Sequence, residues 1–243
     1  MPEPTTVIVT GAAQGLGRAV ARAFHATGWR VAMLDIDERG LSNLAEELGQ
    51  DARGYPVDLT DAADTQSVAQ QVIDDFGGVI TLVHNAAILE PEPLETLPFS
   101  RWQATLNVGV QAAFLLTQAV WSDMKHSGGA IIYVSSRSGI EGFIDESAYC
   151  ATKHGLEGLM KCAALEGAPY GILAHTITPG MYMHTPMSER TYPNDLKSKW
   201  VEPEQLAPAF LHLAARGDPS LSGQRLSAWD LSQTLANEKV QEA

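Results

Sequence analysis

Val7-Ile8-Val9-Thr10-Gly11-Ala12-Ala13-Gln14-Gly15-Leu16-Gly17 joins a short strand-forming run to a turn with glycine at three positions. The apolar spacing beyond it, to about Thr27, is that of a helix. Glycines in such a turn let the backbone approach a pyrophosphate closely, and the N–H groups and dipole at the helix start favour negative charge. Ala13 stands where the G-x-G-x-x-G dinucleotide pattern has its second glycine. Taken alone, the turn therefore reads equally well as a tight strand-to-helix connection. Its place after a first strand and at the opening of a helix favours the phosphate reading.

Working outward, the same strand-then-helix unit recurs. Gly28 stops the first helix, Val31-Ala32-Met33-Leu34 is a second strand, and a helix follows from about 38 to 48. Tyr55-Pro56-Val57 reads as a third strand, after which Asp61 caps a helix that ends near Phe76 at Gly77-Gly78. Val79-Ile80-Thr81-Leu82-Val83, Ala130-Ile131-Ile132-Tyr133-Val134 and Leu173-Ala174-His175-Thr176-Ile177 are further strands, and Gln224-Arg225-Leu226-Ser227-Ala228 is a candidate seventh. Helices are expected over about 100–125 and 147–166. Near-continuous apolar strands alternating with helices imply a parallel sheet covered on both faces, and right-handed crossovers make it doubly wound. The expected fold is α/β, a Rossmann-type sheet flanked by helices, with residues 1–243 as one domain. The polar, Pro-interrupted stretch 181–202 is expected to form a mobile flap.

The chain has 243 residues, 16 basic and 29 acidic, for a formal charge of −13. Such a surface repels phosphate backbones and anionic membranes, so neither nucleic acid nor a membrane is an expected partner. No apolar run approaches the roughly 18 residues needed to span a bilayer. Met1-Pro2-Glu3-Pro4-Thr5-Thr6 lacks the basic and apolar regions of a signal peptide, and a cytoplasmic location is expected. Cys150 and Cys162 lie 12 residues apart in one expected helix, about 18 Å along its axis, too far to pair; both are expected in the core. No spaced His/Cys cluster suggests a metal.

Ligands of such sheets bind beyond the carboxyl ends of the strands, where strand order reverses. Asp35 ends the second strand 24 positions after Gly11, close to the ~20 expected of a ribose-binding carboxylate. A carboxylate there accepts from ribose hydroxyls and repels a 2′-phosphate; Ile36 and Asp37 follow, with no basic residue, which favours NAD over NADP. Two readings remain for Asp58: contact with an adenine amino group, or helix capping. Tyr149-Cys150-Ala151-Thr152-Lys153 puts a phenol and an ammonium at i and i+4 of a helix. A Tyr working as a base near neutrality needs its pKa of about 10 lowered by about 3 units, roughly 4 kcal/mol. An ammonium about 4 Å away supplies attraction of that size. Alone, such a pair is usually a surface feature. Ser136, 13 residues before Tyr149 and directly after a strand, adds a hydroxyl at the sheet's carboxyl edge.

With these elements together, the sequence from Thr6 to about Ser227 resembles the short-chain dehydrogenase/reductase family. Asn85-Ala86-Ala87, Asn107 and Pro179-Gly180 match further family elements, with Ala87 replacing a usual Gly. The resemblance implies a catalytic set of Ser136 orienting the reacting oxygen, Tyr149 as acid/base, Lys153 lowering the Tyr pKa, and Asn107 holding a relay water. It implies NAD contacts at Gly11, Gln14, Gly15, Leu16, Gly17, Asp35, Ile36, Asp58, Leu59, Asn85, Ala86, Ala87, Tyr149, Lys153, Pro179, Gly180, Tyr182 and Thr185. It also implies a homotetramer or homodimer built on helices 100–125 and 147–167, where Gly155, Gly158, Ala163 and Ala164 would allow close approach. His84 and His175 stand where the family often has Asn, Thr185 comes one residue late, and Leu226-Ser227-Ala228-Trp229-Asp230-Leu231 replaces a frequent Asp-Gly-Gly ending.

The expected activity is NAD-dependent interconversion of a secondary alcohol and a ketone or lactone. Substrate contacts are expected from Ser136, Arg137, Ser138, Glu141, Tyr149, Met181 and His184. Further polar candidates are Glu90, Glu92, Asp145 and Arg190, and Tyr182, Met183 and Trp200 are candidate walls. Such a mixture suits a small hydroxylated molecule, a sugar or cyclic alcohol, better than a steroid. The alternatives are a steroid-type or β-ketoacyl reductase and a non-catalytic NAD sensor. The ketoacyl reading is disfavoured by its usual NADP and by repulsion of an acidic carrier. The intact Ser136, Tyr149 and Lys153 set speaks against the sensor.

Overall fold

A computed structural model describes residues 5–214 and 217–241; Met1 to Pro4, part of the stretch read above for a leader, lie outside the described residues. Seven strands form one sheet: β1 (Thr6–Thr10), β2 (Arg30–Asp35), β3 (Ala52–Pro56), β4 (Thr81–His84), β5 (Gly129–Val134), β6 (Ile172–Thr178) and β7 (Arg225–Ser227). They lie in the order β3-β2-β1-β4-β5-β6-β7, every pair parallel. The expected α/β architecture is therefore present, and the order reverses between β1 and β4. β1, β4, β5 and β6 are buried along their whole length, as strands covered on both faces must be.

One face carries α1 (Gly15–Ala26), α2 (Glu38–Leu48) and, after the flap, α8 (Ala207–Leu213), packed on a core that includes Val7, Val9, Phe24, Met33 and Phe210. The other carries α3 (Ala62–Phe76), α5 (Ala112–Ser127) and α6 (Ser147–Gly167), over Ile8, Leu34, Leu82, Leu116, Tyr133 and Leu156, with α4 (Phe99–Leu106) packed beside α6. Asp61 caps α3 through the N–H groups of Ala63 and Asp64, and Gly77 ends it with φ +70°. Between α4 and α5 the expected single helix widens into a π turn at Asn107–Gln111. The third strand begins at Ala52, three residues before the expected start, because it is an edge strand of alternating exposure rather than an apolar run.

The stretch expected to form a flap contains regular structure. It holds a short helix, α7 (Pro186–Thr191), and a 3-10 segment (Asn194–Lys199), closed at its base by a bridge between Met183 and Val201. The final helix, α9 (Ala228–Gln241), packs on α8. Cys150 is buried, but Cys162 lies on the solvent side of α6, against the expectation of two core residues. Among the described residues no helix is long and apolar enough to cross a membrane.

Candidate active site

A cleft of about 400 Å³ opens at the carboxyl ends of the strands, over the point where the order reverses. Asp35 and Ile36 border one end; Ser136, Tyr149 and Lys153 border the other. Gly11, Gln14, Gly15 and Leu16 form the near wall, Asp58, Leu59, Asn85, Ala86 and Ala87 the far one, and Pro179 and Thr185 also line it.

The glycine turn is shaped by contacts behind it. A Cβ on Gly17 would lie 2.1 Å from the Gly11 carbonyl oxygen and 2.7 Å from Asn85 Nδ2, so Gly17 serves close packing and does not line the cleft. Asn85 Nδ2 donates to the carbonyls of Thr10 and Gly11 at 3.1 and 3.2 Å. The Thr10 hydroxyl accepts the N–H groups of Asn85 and Ala86, both at 3.0 Å, and donates to His84 Nδ1 at 3.1 Å. His84 Nε2 in turn donates to the Gly109 carbonyl in the π turn at 2.8 Å. Burial, with the neighbouring Lys153 charge, lowers the His84 pKa to about 4, so the ring is neutral with its proton on Nε2. His84 thus ties β1 and β4 to the π turn.

These residues fit a dinucleotide. No side chain caps the first turn of α1, so its N–H groups remain open to an anion. Asp35 is oriented by the Ala13 and Asp37 N–H groups, one on each oxygen at 2.9 and 3.0 Å, which leaves each oxygen a further lone pair. Asp58 accepts from Thr60 N at 2.9 Å, while Asp61 rather than Asp58 caps α3.

At the far end, Lys153 is 2% exposed. Its Nζ donates to the Val134 carbonyl at 2.7 Å and lies 5.2 Å from the centroid of the Tyr149 ring. Burial lowers its pKa to about 8, against the opposing pull of Glu157. The sequence led to a phenol made acidic by this ammonium. Instead, burial pushes the Tyr149 phenol up, reinforced by Tyr192 and Glu146 and only partly offset by its hydrogen bond with Ser136. The chain's own groups therefore keep Tyr149 protonated at neutral pH. Ser136 caps a 3-10 turn (Arg137–Gly139), its hydroxyl accepting from Ser138 N at 3.2 Å.

Other expected residues lie elsewhere. Asn107 does not line the cleft; its amide donates to the Thr60 carbonyl at 3.0 Å, and Thr60 does line it. Gly180 packs against Ser227, where a Cβ would be 2.2 Å from the hydroxyl. Tyr182 meets Tyr192 edge-to-face, with centroids 5.7 Å apart, and Tyr192 is the one that lines the cleft.

Of the expected substrate residues, Ser136 and Tyr149 line the cleft, and others are placed outside its lining. Arg137 and Glu141 form an exposed pair at 2.8 Å. Ser138 donates to Glu146 at 3.0 Å, and Arg101 engages Glu90 and Glu92. His184 is held by Glu189 at 3.0 Å and Glu202 at 3.2 Å and stacks beside Trp200. Each of these side chains is engaged by a neighbour, and none of them lines the cleft. Met181 does, joined by Met183, Met187, Tyr192 and Ile88. Of these, Met187 and Tyr192 were not foreseen; they belong to the same set of methionines and aromatics in the flap as Met181, Tyr182, Met183 and Trp200, which was the available signal. Thr185 lines the cleft, with its hydroxyl engaged in a capping box with Ser188.

A cleft at the reversal point of a seven-stranded parallel sheet, floored by a glycine turn, is that of a Rossmann-type α/β protein. Residues 5–195 match the family model described as short chain dehydrogenase, and the chain belongs to that family. It is an oxidoreductase of the kind that acts on alcohols. D-threitol dehydrogenase of Mycolicibacterium smegmatis is 32% identical over 232 residues, 90% of this chain and 89% of that protein. The 3-alpha-(or 20-beta)-hydroxysteroid dehydrogenase of Mycobacterium tuberculosis is 36% identical over 214 residues, covering 86% and 81%. The crystal structure of 3-ketoacyl-(acyl-carrier-protein) reductase from Brucella melitensis complexed with NADH is similar at a TM-score of 0.86 and 25% identity, over 93% of this chain and 97% of that one.

Proposed function

We propose that this chain is an NAD-linked oxidoreductase that interconverts a secondary alcohol and a ketone or lactone, with Ser136, Tyr149 and Lys153 at the reacting end. The observation that carries the reading is the convergence of these three on one end of a cleft whose other end is Asp35. A nicotinamide dinucleotide supplies hydride chemistry when bound. The uncapped start of α1, with Gly11, Gln14, Gly15 and Leu16, would hold its phosphates; Asp35 would hold the ribose hydroxyls and repel a 2′-phosphate; Asn85, Ala86, Pro179 and Thr185 would border the remainder. Tyr149, kept protonated by burial, donates its proton to a carbonyl oxygen in the reduction direction and takes it back in oxidation. Ser136 offers that oxygen a hydroxyl. Lys153 holds a positive charge beside the phenol below about pH 8. Asn107 enters as a positioning residue, through Thr60.

The walls Ile88, Met181, Met183, Met187 and Tyr192 support a cyclic secondary alcohol over an open-chain sugar. The same walls favour, as a second reading, a steroid-type alcohol. The NADH in the Brucella reductase removes cofactor choice as an argument against a ketoacyl substrate, and the repulsion of an acidic carrier by the charge of −13 is what disfavours it. Exposed Phe99, Phe114 and Leu165 on α4, α5 and α6 support a homodimer or homotetramer. The test is turnover of trans-1,2-cyclohexanediol, D-threitol and a 3α-hydroxysteroid with NAD and with NADP, read by nicotinamide absorbance. The expected result is the diol oxidised with NAD; preference for the steroid would replace the substrate, and turnover of none with either cofactor would refute the reading.

A further inference from the structure

Behind Ser136 and Lys153, on the face of the sheet covered by α6, several polar groups converge on one carboxylate. Glu157 lies one helical turn beyond Lys153 and is 8% exposed. It accepts from Thr176 Oγ1 at 2.6 Å and from the Ser135 hydroxyl, and it forms an ion pair with Arg225 Nε at 3.2 Å. Arg225, on β7 and in register with Thr176 of β6, uses Nη2 to donate to the backbone carbonyl of Ser136 at 3.0 Å. The turn closes tightly on this group: a Cβ on Gly139 would lie 2.6 Å from Ser135 Oγ and 3.1 Å from Glu157 Oε1.

A largely buried ion pair is poor evidence of stabilisation, since apolar replacements of similar volume are often as stable. Here the pair links the two residues that flank Tyr149. We propose that Glu157 and Arg225 are positioning residues of the reacting end: Arg225 fixes the backbone that carries the Ser136 hydroxyl, and Glu157 orients Arg225 and supplies the negative charge facing Lys153. The proposal rests on the reading of Ser136, Tyr149 and Lys153 given above.

The two charges act on Lys153 with opposite sign. Glu157 favours its ammonium. Arg225, 3.2 Å from Glu157, carries the opposite charge, so by Coulomb's law its removal leaves the attraction of Glu157 for Lys153 less compensated. The other group in electrostatic contact is His84 of β4, neutral under these conditions. Tyr149 faces Glu146 and Cys150 on its own side and Tyr192 from the flap. None of these changes in the variants.

The test is the Lys153 titration, followed by NMR of ¹³C-labelled lysine in the full chain and assigned by its absence in Lys153→Met. Glu157→Gln is expected to lower the Lys153 pKa and Arg225→Met to raise it, each by roughly half a unit or more. Arg225→Met is also expected to lower kcat about tenfold for the best alcohol of the panel above, with the Kd for NAD within twofold, and Arg225→Lys to restore part of the loss. Thermal unfolding shows whether each variant is folded, and Glu157→Gln serves if Arg225→Met is not. Shifts of the same sign, no shift, or an unchanged kcat would overturn the proposal. Failure of the parent reading is separately visible as retained turnover in Tyr149→Phe, which leaves the lysine titration unaffected as a measurement.

Discussion

Replacing Thr10 by Val removes one buried oxygen from behind the cleft and leaves the shape nearly unchanged. That oxygen accepts the N–H groups of Asn85 and Ala86 and donates to His84 Nδ1. Thr10 and His84 are buried, while Asn85 and Ala86 border the cleft and are reachable by water. Each fully buried polar group left without a partner costs about 1–3 kcal/mol. Counting the ring nitrogen in full, the two N–H groups in part, and a gain of about 1 kcal/mol for the added methyl, the loss is about 2–4 kcal/mol. For a chain of this size, where 1 kcal/mol moves Tm by about 2–4 °C, Tm should fall by roughly 5–15 °C. Thr10→Ser keeps the hydroxyl and loses only a methyl, at about 1 kcal/mol. Urea unfolding of the pair is the assay, and the Kd for NAD should rise more in Thr10→Val, because Asn85 and Ala86 lose their anchor. Equal destabilisation by Val and Ser would refute the reasoning and reduce Thr10 to a packing residue.

Asp35→Asn should cut the preference for NAD over NADP at least tenfold, since the amide keeps the shape and loses the repulsion of a 2′-phosphate; an unchanged ratio of kcat/KM values would mean that Asp35 does not read the ribose. The His84 pKa of about 4, against 6.5 in an unfolded chain, means that the unfolded state binds the extra proton between those values. Stability is therefore fully present above pH 6.5 and is lost as pH falls towards 4, by about 3 kcal/mol in all. His84→Asn should be less stable at pH 7 and should flatten that acid limb in denaturant unfolding; parallel limbs would count against the assignment.

Much of this was written in local sequence. Asp61 announced a helix start, Gly28 and Gly77 announced stops, and unbroken apolar runs announced strands buried on both faces, because each of these signals acts within a few residues. The glycine turn, Asp35 and the Ser136–Tyr149–Lys153 spacing were legible for the same reason. What escaped depended on distant contacts. One extra residue in the turn at Asn107–Gln111 barely disturbs helical periodicity, yet it sets the Gly109 carbonyl against His84. Whether Glu141 or His184 faced the cleft turned on loop partners, Arg137 in one case and Glu189 and Glu202 in the other, that no spacing reveals. Helix α8 has no side-chain cap, only Pro208 in its first turn as a start signal, and it packs on α1 and α9. Spacing brought Tyr149 and Lys153 together correctly, but the sign of the shift on the phenol follows from its desolvation and from Tyr192 of the flap, neither of which spacing reveals.

The most direct measurement is proton uptake and turnover in Tyr149→Phe, assayed in both directions with the alcohol selected from the panel and its ketone. The phenyl ring fills the same space, so the dinucleotide should bind within about twofold of wild type while kcat falls by at least ~1,000-fold in each direction. Turnover above a few per cent of wild type, with binding intact, would show that another group moves the proton.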